Sequence, residues 1–211
     1  MSGYLSVFAP CEYEAVIERS RFIARCTHCE GEEQARAFLA GVRAEHPLAT
    51  HHCYAFVADK LGNVLRFSDD GEPQGTAGMP ILDVLRNKKL QETAVCVTRY
   101  FGGVKLGAGG LVRAYAGAAA EVLARAQICR YKPCRELFCT VGYEHFDALK
   151  KFLQGSGATV KDVAYTDKVT AAVAVEEEGC ARFCAALSDH MAGRVAFREG
   201  EGYWFPFPAK E

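Results

Sequence analysis

No apolar run in this chain approaches the roughly 20 residues that a helical bilayer span needs, so no membrane-spanning segment is expected. The N-terminal stretch MSGYLSVFAPCEYEAV lacks a basic start followed by an apolar run of about 7–15 residues, so no secretory leader is expected either. Charge of one sign is also missing. The 211 residues carry 25 Lys+Arg and 26 Asp+Glu, a formal net charge of −1, which excludes a bulk polyanion binder and leaves only a local basic patch for nucleic acid. Low-complexity tracts and internal repeats are absent, which excludes solenoids and disordered arms.

What is present is an ordinary globular composition, 50% hydrophobic and 24% charged, in a chain long enough for one large or two small domains. Ten cysteines would suggest a disulfide set in an exported chain. Without export they read as reduced thiols in the cytoplasm. Cys26-Thr27-His28-Cys29 matches C-x-x-C, but no second C-x-x-C exists to complete a zinc site, so small buried thiols are expected and no metal ligands are assigned.

Periodicity places strands at 11–18, 22–26, 51–58, 64–67 and 92–100, and helices at 30–45, 81–89 and 111–126. Beyond about residue 131 the pattern changes to strand (134–141), helix (144–153), strand (158–165), strand (168–175), helix (179–191) and strand (194–198). That β-α-β-β-α-β order is ferredoxin-like. The fold class is therefore α+β in two domains, 1–130 and 131–211, with net charges of +1 and −2.

Two glycine-rich stretches stand out. The first, SDDGEPQGTAG, spans Ser68, Asp69, Asp70, Gly71, Glu72, Gly75, Thr76 and Gly78. Its three carboxylates could hold Mg²⁺ beside a substrate phosphate, or could satisfy loop N–H groups, as Asp-Gly and Glu-Pro turns do. The second, VTRYFGGVKLGAGGLVRAY at 97–115, runs from a strand into a helix through Gly102, Gly103, Gly107, Gly109 and Gly110. A glycine in a regular element costs roughly 1 kcal/mol relative to alanine, so five in nine positions imply unusual backbone or close approach. Arg99, Lys105 and Arg113 flank the junction, and bare N–H groups at a helix start attract anions. Neither a P-loop Gly-Lys-Ser/Thr nor a dinucleotide fingerprint follows.

His51 and His52 lie on a strand and point to opposite faces. Grouped by alternation, His51, Cys53 and Ala55 share one side and His52, Tyr54 and Phe56 the other. A Cys–His nucleophilic pair at Cys53 is one reading, a hydrogen-bonded core histidine the other. Tyr54, Phe67, Tyr100, Phe101 and Tyr115 fall near Arg66, Arg99 and Lys105, as in surfaces that stack bases and also in ordinary sheet cores.

SRFIA at 20–24, HHCYA at 51–55, SDDGEPQGTAGMPIL at 68–82 and the 97–115 stretch together resemble the IMPACT / YigZ family. The resemblance implies a first domain like those of ribosomal small-subunit proteins and the fourth domain of elongation factor G, a mixed sheet with helices on one face. It implies a ferredoxin-like second domain. Met79 stands where some members place Lys. Eukaryotic relatives regulate translation through the starvation-sensing kinase pathway, using a further domain that does not belong to this arrangement. For bacterial members the resemblance implies nucleic-acid or ribosome association, and the leading reading for this chain is a cytoplasmic, non-catalytic RNA- or ribosome-binding protein with a translation-linked role and no cofactor. The rival readings are a Mg²⁺-dependent enzyme on a small phosphorylated or nucleotide ligand, and a protein–protein adaptor.

Overall fold

The computed structural model describes residues 3–208, so the outermost ends of the expected domains, 1–2 and 209–211, lie outside the described residues. The backbone divides into two compact units, Tyr4–Arg130 and Tyr131–Phe207, the latter together with Gly3.

The first unit contains β1 (Tyr4–Val7), β2 (Cys11–Ile17), β3 (Ser20–His28), α1 (Gly31–Glu45), β4 (His51–Val57), β5 (Leu65–Ser68), α2 (Gly78–Asn87), β6 (Thr93–Tyr100) and α3 (Gly107–Arg125). Its main sheet runs β2-β3-β6-β4-β5, and the four pairings are antiparallel. The parallel element is an isolated bridge between Leu5 and Leu90.

Strand alternation decides what covers each face. Phe22, Ala24, Cys53, Ala55, Val95 and Val97 pack with α2 and α3, whereas Phe56, Ala94 and Cys96 pack with α1. Helices therefore cover both faces, not the one face that the resemblance implied. This explains why seven consecutive residues of β6 are buried: a central strand covered on both sides cannot alternate with solvent. Met79 packs against the larger core, so the position held by Lys in some relatives serves this chain as apolar filling.

The second unit follows with β7 (Ile128–Val141, which begins just before the division), α4 (Phe146–Gly155), β8 (Thr159–Tyr165), β9 (Val169–Glu176), α5 (Cys180–His190) and β10 (Ala196–Pro208). Strand β7 pairs with β9 and β10, and β9 pairs in turn with β8. The pairings β7–β9 and β8–β9 are antiparallel. Leu149 and Leu153 of α4 and Phe183 and Leu187 of α5 close one core over the alternate residues of β7 and β9. This is the ferredoxin-like arrangement.

Two helix starts depart from the periodicity reading. Helix α2 begins at Gly78, three residues early, and α3 at Gly107, four residues early. Both start on glycine, whose low helix propensity hides the first turn. Strand β1 and most of β10 escaped the pattern altogether.

All ten cysteines are free thiols. Burial pushes Cys26 and Cys29 up to about 12 each, which makes them inert core residues.

Candidate anion-binding cleft

The 68–78 loop is closed by its own groups. Asp69 accepts the N–H groups of Gly75 (2.8 Å), Ala77 (3.0 Å) and Gly78 (2.8 Å). The last two belong to the start of α2, so Asp69 caps that helix from eight and nine residues upstream. Burial alone would raise the Asp69 carboxyl, but these three N–H groups outweigh it and hold it below its ordinary value of 3.8. Asp70 accepts the His52 N–H at 2.7 Å and the Arg43 guanidinium at 2.9 Å, and is lowered likewise against the pull of burial. Gly71, at φ +89°, lies against the His51 ring, where a β-carbon would come within 3.4 Å of Nδ1. Thr76 Oγ1 donates to the Pro73 carbonyl at 2.6 Å, and the Ser68 hydroxyl accepts the Asp70 N–H at 3.1 Å. Gly78 packs so tightly on the Ser68 backbone that a β-carbon would sit 2.7 Å away.

Glu72 is committed more deeply. Only 9% exposed, its Oε1 accepts Arg99 Nη1 at 2.6 Å and the Tyr115 hydroxyl at 2.7 Å. Arg99, 4% exposed, also donates from Nη2 to Ser20 Oγ at 3.1 Å and packs between the rings of Phe22 and Phe101. The direct phosphate contact expected of Arg99 is thereby corrected: its charge is spent on a buried carboxylate beneath the surface. Of the two readings of the loop carboxylates, the geometry follows the second: Asp69, Asp70 and Glu72 are each engaged by protein donors rather than grouped for Mg²⁺.

His51 completes this floor. Its Nδ1 lies 2.8 Å from the Asp70 carbonyl oxygen. A carbonyl can only accept, so Nδ1 carries the proton, and Nε2, 3.9 Å from Glu72 Oε1, is the ring's other nitrogen, an acceptor whenever it is unprotonated. Cys53, one residue on, is buried and donates its thiol to the Asp69 carbonyl at 3.0 Å. Burial pushes that thiol up, and it is not an activated nucleophile.

The 102–110 junction differs in kind. Gly102 is there for space: a β-carbon would fall 1.9 Å from the Arg19 carbonyl, and its N–H donates to Ser20 Oγ at 3.2 Å. Gly103 (φ +83°) and Gly107 (φ +69°) adopt left-handed backbone in open surroundings. Gly110 sits over Leu106, with 2.9 Å to a would-be β-carbon. Gly107, Ala108 and Gly109 are exposed, and the first turn of α3 has neither a side-chain cap nor an acidic residue. By contrast α1 carries Glu32 and Glu33 in its first turn. Lys105 and Arg113 are exposed, with no ion pair among the described residues. Arg113 Nη1 lies 3.5 Å from where a Gly109 β-carbon would be. Two cations beside an uncapped positive helix end repel it and each other, and an anion relieves both.

These two stretches meet at one cleft of about 420 Å³ lined by Thr50, His51, Glu72, Pro73, Arg99, Phe101, Lys105, Leu106, Gly107, Ala108 and Leu111. Half-exposed Phe101 (46%) supplies an aromatic edge, whereas Tyr115 is fully buried beneath, edge-on to Phe22. The junction glycines and cations were singled out in the sequence, and the structure puts Lys105 and Gly107 on the lining of this cleft. His51 was noted as a strand histidine, Phe101 and Tyr115 as aromatics that stack bases or fill a sheet core, and Ser20, 79 residues from Arg99 in sequence, only as part of the SRFIA stretch.

Fold and cleft together define a two-unit α+β protein whose first unit presents an unmatched positive helix start over a polar, buried floor. The chain belongs to the IMPACT family: residues 18–123 match the Impact N-terminal domain and 139–194 match a domain of unknown function, DUF1949. Every residue of the cleft lies within the first match. The chain is 35% identical over 201 residues to the IMPACT family member YvyE of Bacillus subtilis (strain 168), covering 95% of this chain and 93% of that protein. It is 38% identical over 197 residues to the IMPACT family member YigZ of Escherichia coli (strain K12), covering 92% and 97%. A crystal structure of a hypothetical protein aligns at a TM-score of 0.62 with 36% identity, over 95% of this chain and 98% of the other. No helix among the described residues is long and apolar enough to cross a membrane.

Proposed function

We propose that this protein acts in the cytoplasm as an RNA- or ribosome-binding factor with a translation-linked, non-catalytic role, and that the cleft of the first unit receives RNA phosphate. The observation that carries this reading is the exposed, uncapped start of α3 with Lys105 and Arg113 beside it. Around that anion subsite the cleft offers what one ribonucleotide needs. Phe101 is a half-exposed face for a base, and His51 Nε2 is an acceptor for a 2′-hydroxyl. The committed carboxylates of the 68–78 loop support binding over Mg²⁺-assisted chemistry.

The test is RNA binding measured across salt concentration. Wild-type affinity should fall steeply with salt, and Lys105→Glu with Arg113→Glu should weaken it more than about tenfold and flatten the log–log slope by about 1.4–1.8, the value for two lost phosphate contacts. Unchanged binding by the double variant would overturn the site. Capture of a protein that survives nuclease treatment, with no RNA bound, would favour an adaptor.

A further inference from the structure

Away from the cleft, the end of β3 and the start of β6 bring three ligand-type side chains together. The nearest oxygens of Glu30 and Glu92 lie 3.7 and 3.9 Å from His28 Nε2, and the three ligand atoms fall within 4.8 Å of one another. We propose that His28, Glu30 and Glu92 form a binding site for a divalent first-row metal ion that prefers nitrogen and oxygen ligands, such as Mn²⁺ or Zn²⁺.

The surroundings of His28 carry the argument. Its Nδ1 lies 2.8 Å from Ser6 Oγ. Ser6 Oγ has one proton, and it donates that proton to the Glu92 carbonyl at 3.0 Å. Ser6 is therefore the acceptor for His28, and Nδ1 is the protonated nitrogen. Thr93 Oγ1, 2.9 Å from Ser6 Oγ and 2.9 Å from the Gln91 carbonyl, fixes the serine from its other side. This network turns Nε2 toward the two carboxylates, so that all three ligand atoms face one point. A hydrogen-bonded second nitrogen is also how metal-binding histidines are oriented.

Glu92 fits the role of the fixed ligand. It is 4% exposed, holds a left-handed backbone at φ +46°, and accepts the Tyr4 hydroxyl on Oε2. Glu30 is the adjustable ligand, with a side chain 61% exposed. A metal about 2.0–2.2 Å from each atom needs ligands about 3.0–3.5 Å apart; rotation of Glu30 closes its 3.7 Å separation from His28, and a shift of about half an ångström between the His28 ring and the Glu92 carboxylate closes the 3.9 Å one. The carboxylate and imidazole donors suit Mn²⁺ and Zn²⁺, and the neighbouring thiols, Cys26 and Cys29, are buried.

The test is a titration of the full, reduced chain with Mn²⁺, followed by loss of the free-ion EPR signal, because Mn²⁺ avoids thiolates that would confuse a Zn²⁺ experiment. The expected result is one Mn²⁺ per chain, displaced by Zn²⁺, with affinity reduced at least about tenfold in Glu30→Gln and in His28→Gln. Ser6→Ala should weaken binding by about tenfold or more without touching a ligand. Glu30 is exposed, so its variant remains informative even if changes at Glu92 unfold the protein. No stoichiometric binding, or binding indifferent to Glu30→Gln and His28→Gln, would overturn the proposal.

Discussion

The 68–78 loop and the 102–110 junction are built from similar residues and end in opposite states. Both are glycine-rich, both use left-handed glycines, and both lead into a helix. The loop contains carboxylates, and they turn inward: Asp69 caps α2, Asp70 ties the start of β4 to α1, and Glu72 is buried on Arg99. The junction contains no carboxylate. Its helix start keeps exposed N–H groups, and its cations keep no partner among the described residues. The internal supply of anions thus separates a structural loop from a receptive one.

Substitutions should split along that line, and the largest effect is expected beneath the loop. Arg99→Met leaves Glu72 buried without its cation and should cost about 3–5 kcal/mol of stability, read by denaturant unfolding. Gly102→Ala, which pushes a methyl into the Arg19 carbonyl, should cost about 3 kcal/mol. It is the one junction glycine that behaves like the loop.

Asp69→Ala should cost about 2 kcal/mol through the lost cap of α2. Because the folded carboxyls of Asp69 and Asp70 lie below their ordinary 3.8, their contribution is fully present above that pH. It is lost as pH falls through the lower folded values. Thermal melts of wild type should therefore drop below about pH 4, and Asp69→Ala should show a shallower drop.

The smallest stability effect belongs to the exposed cations. Lys105→Ala and Arg113→Ala should change unfolding free energy by less than about 0.5 kcal/mol while weakening RNA binding. A loss of stability comparable to that of Asp69→Ala would erase the contrast between the two stretches.

How far the sequence reveals this contrast depends on range. Strand alternation in β2 and β4 and the β-α-β-β-α-β order are short-range signals, and they were legible; so were the glycines and cations of the junction on which the anion proposal rests. The direction a carboxylate faces was not. Asp69 could bind metal or cap a helix, and only the fold brings the N–H groups of Ala77 and Gly78 onto it. Arg99 looked like a phosphate ligand because its partners Glu72 and Ser20 come from distant positions in the chain. The turn of the His28 ring depends on Ser6 in β1, a strand too short to announce itself.

The most direct measurement is an amide NMR titration of the full chain with a short single-stranded RNA. The expected result is a set of shifts concentrated at Gly103, Lys105, Gly107, Ala108 and Gly109, with His51 and Phe101 following and the amides of Gly75, Ala77 and Gly78 unmoved. Shifts centred on the 68–78 loop, or none at the start of α3, would contradict the claim that the uncapped helix end is where the anion binds.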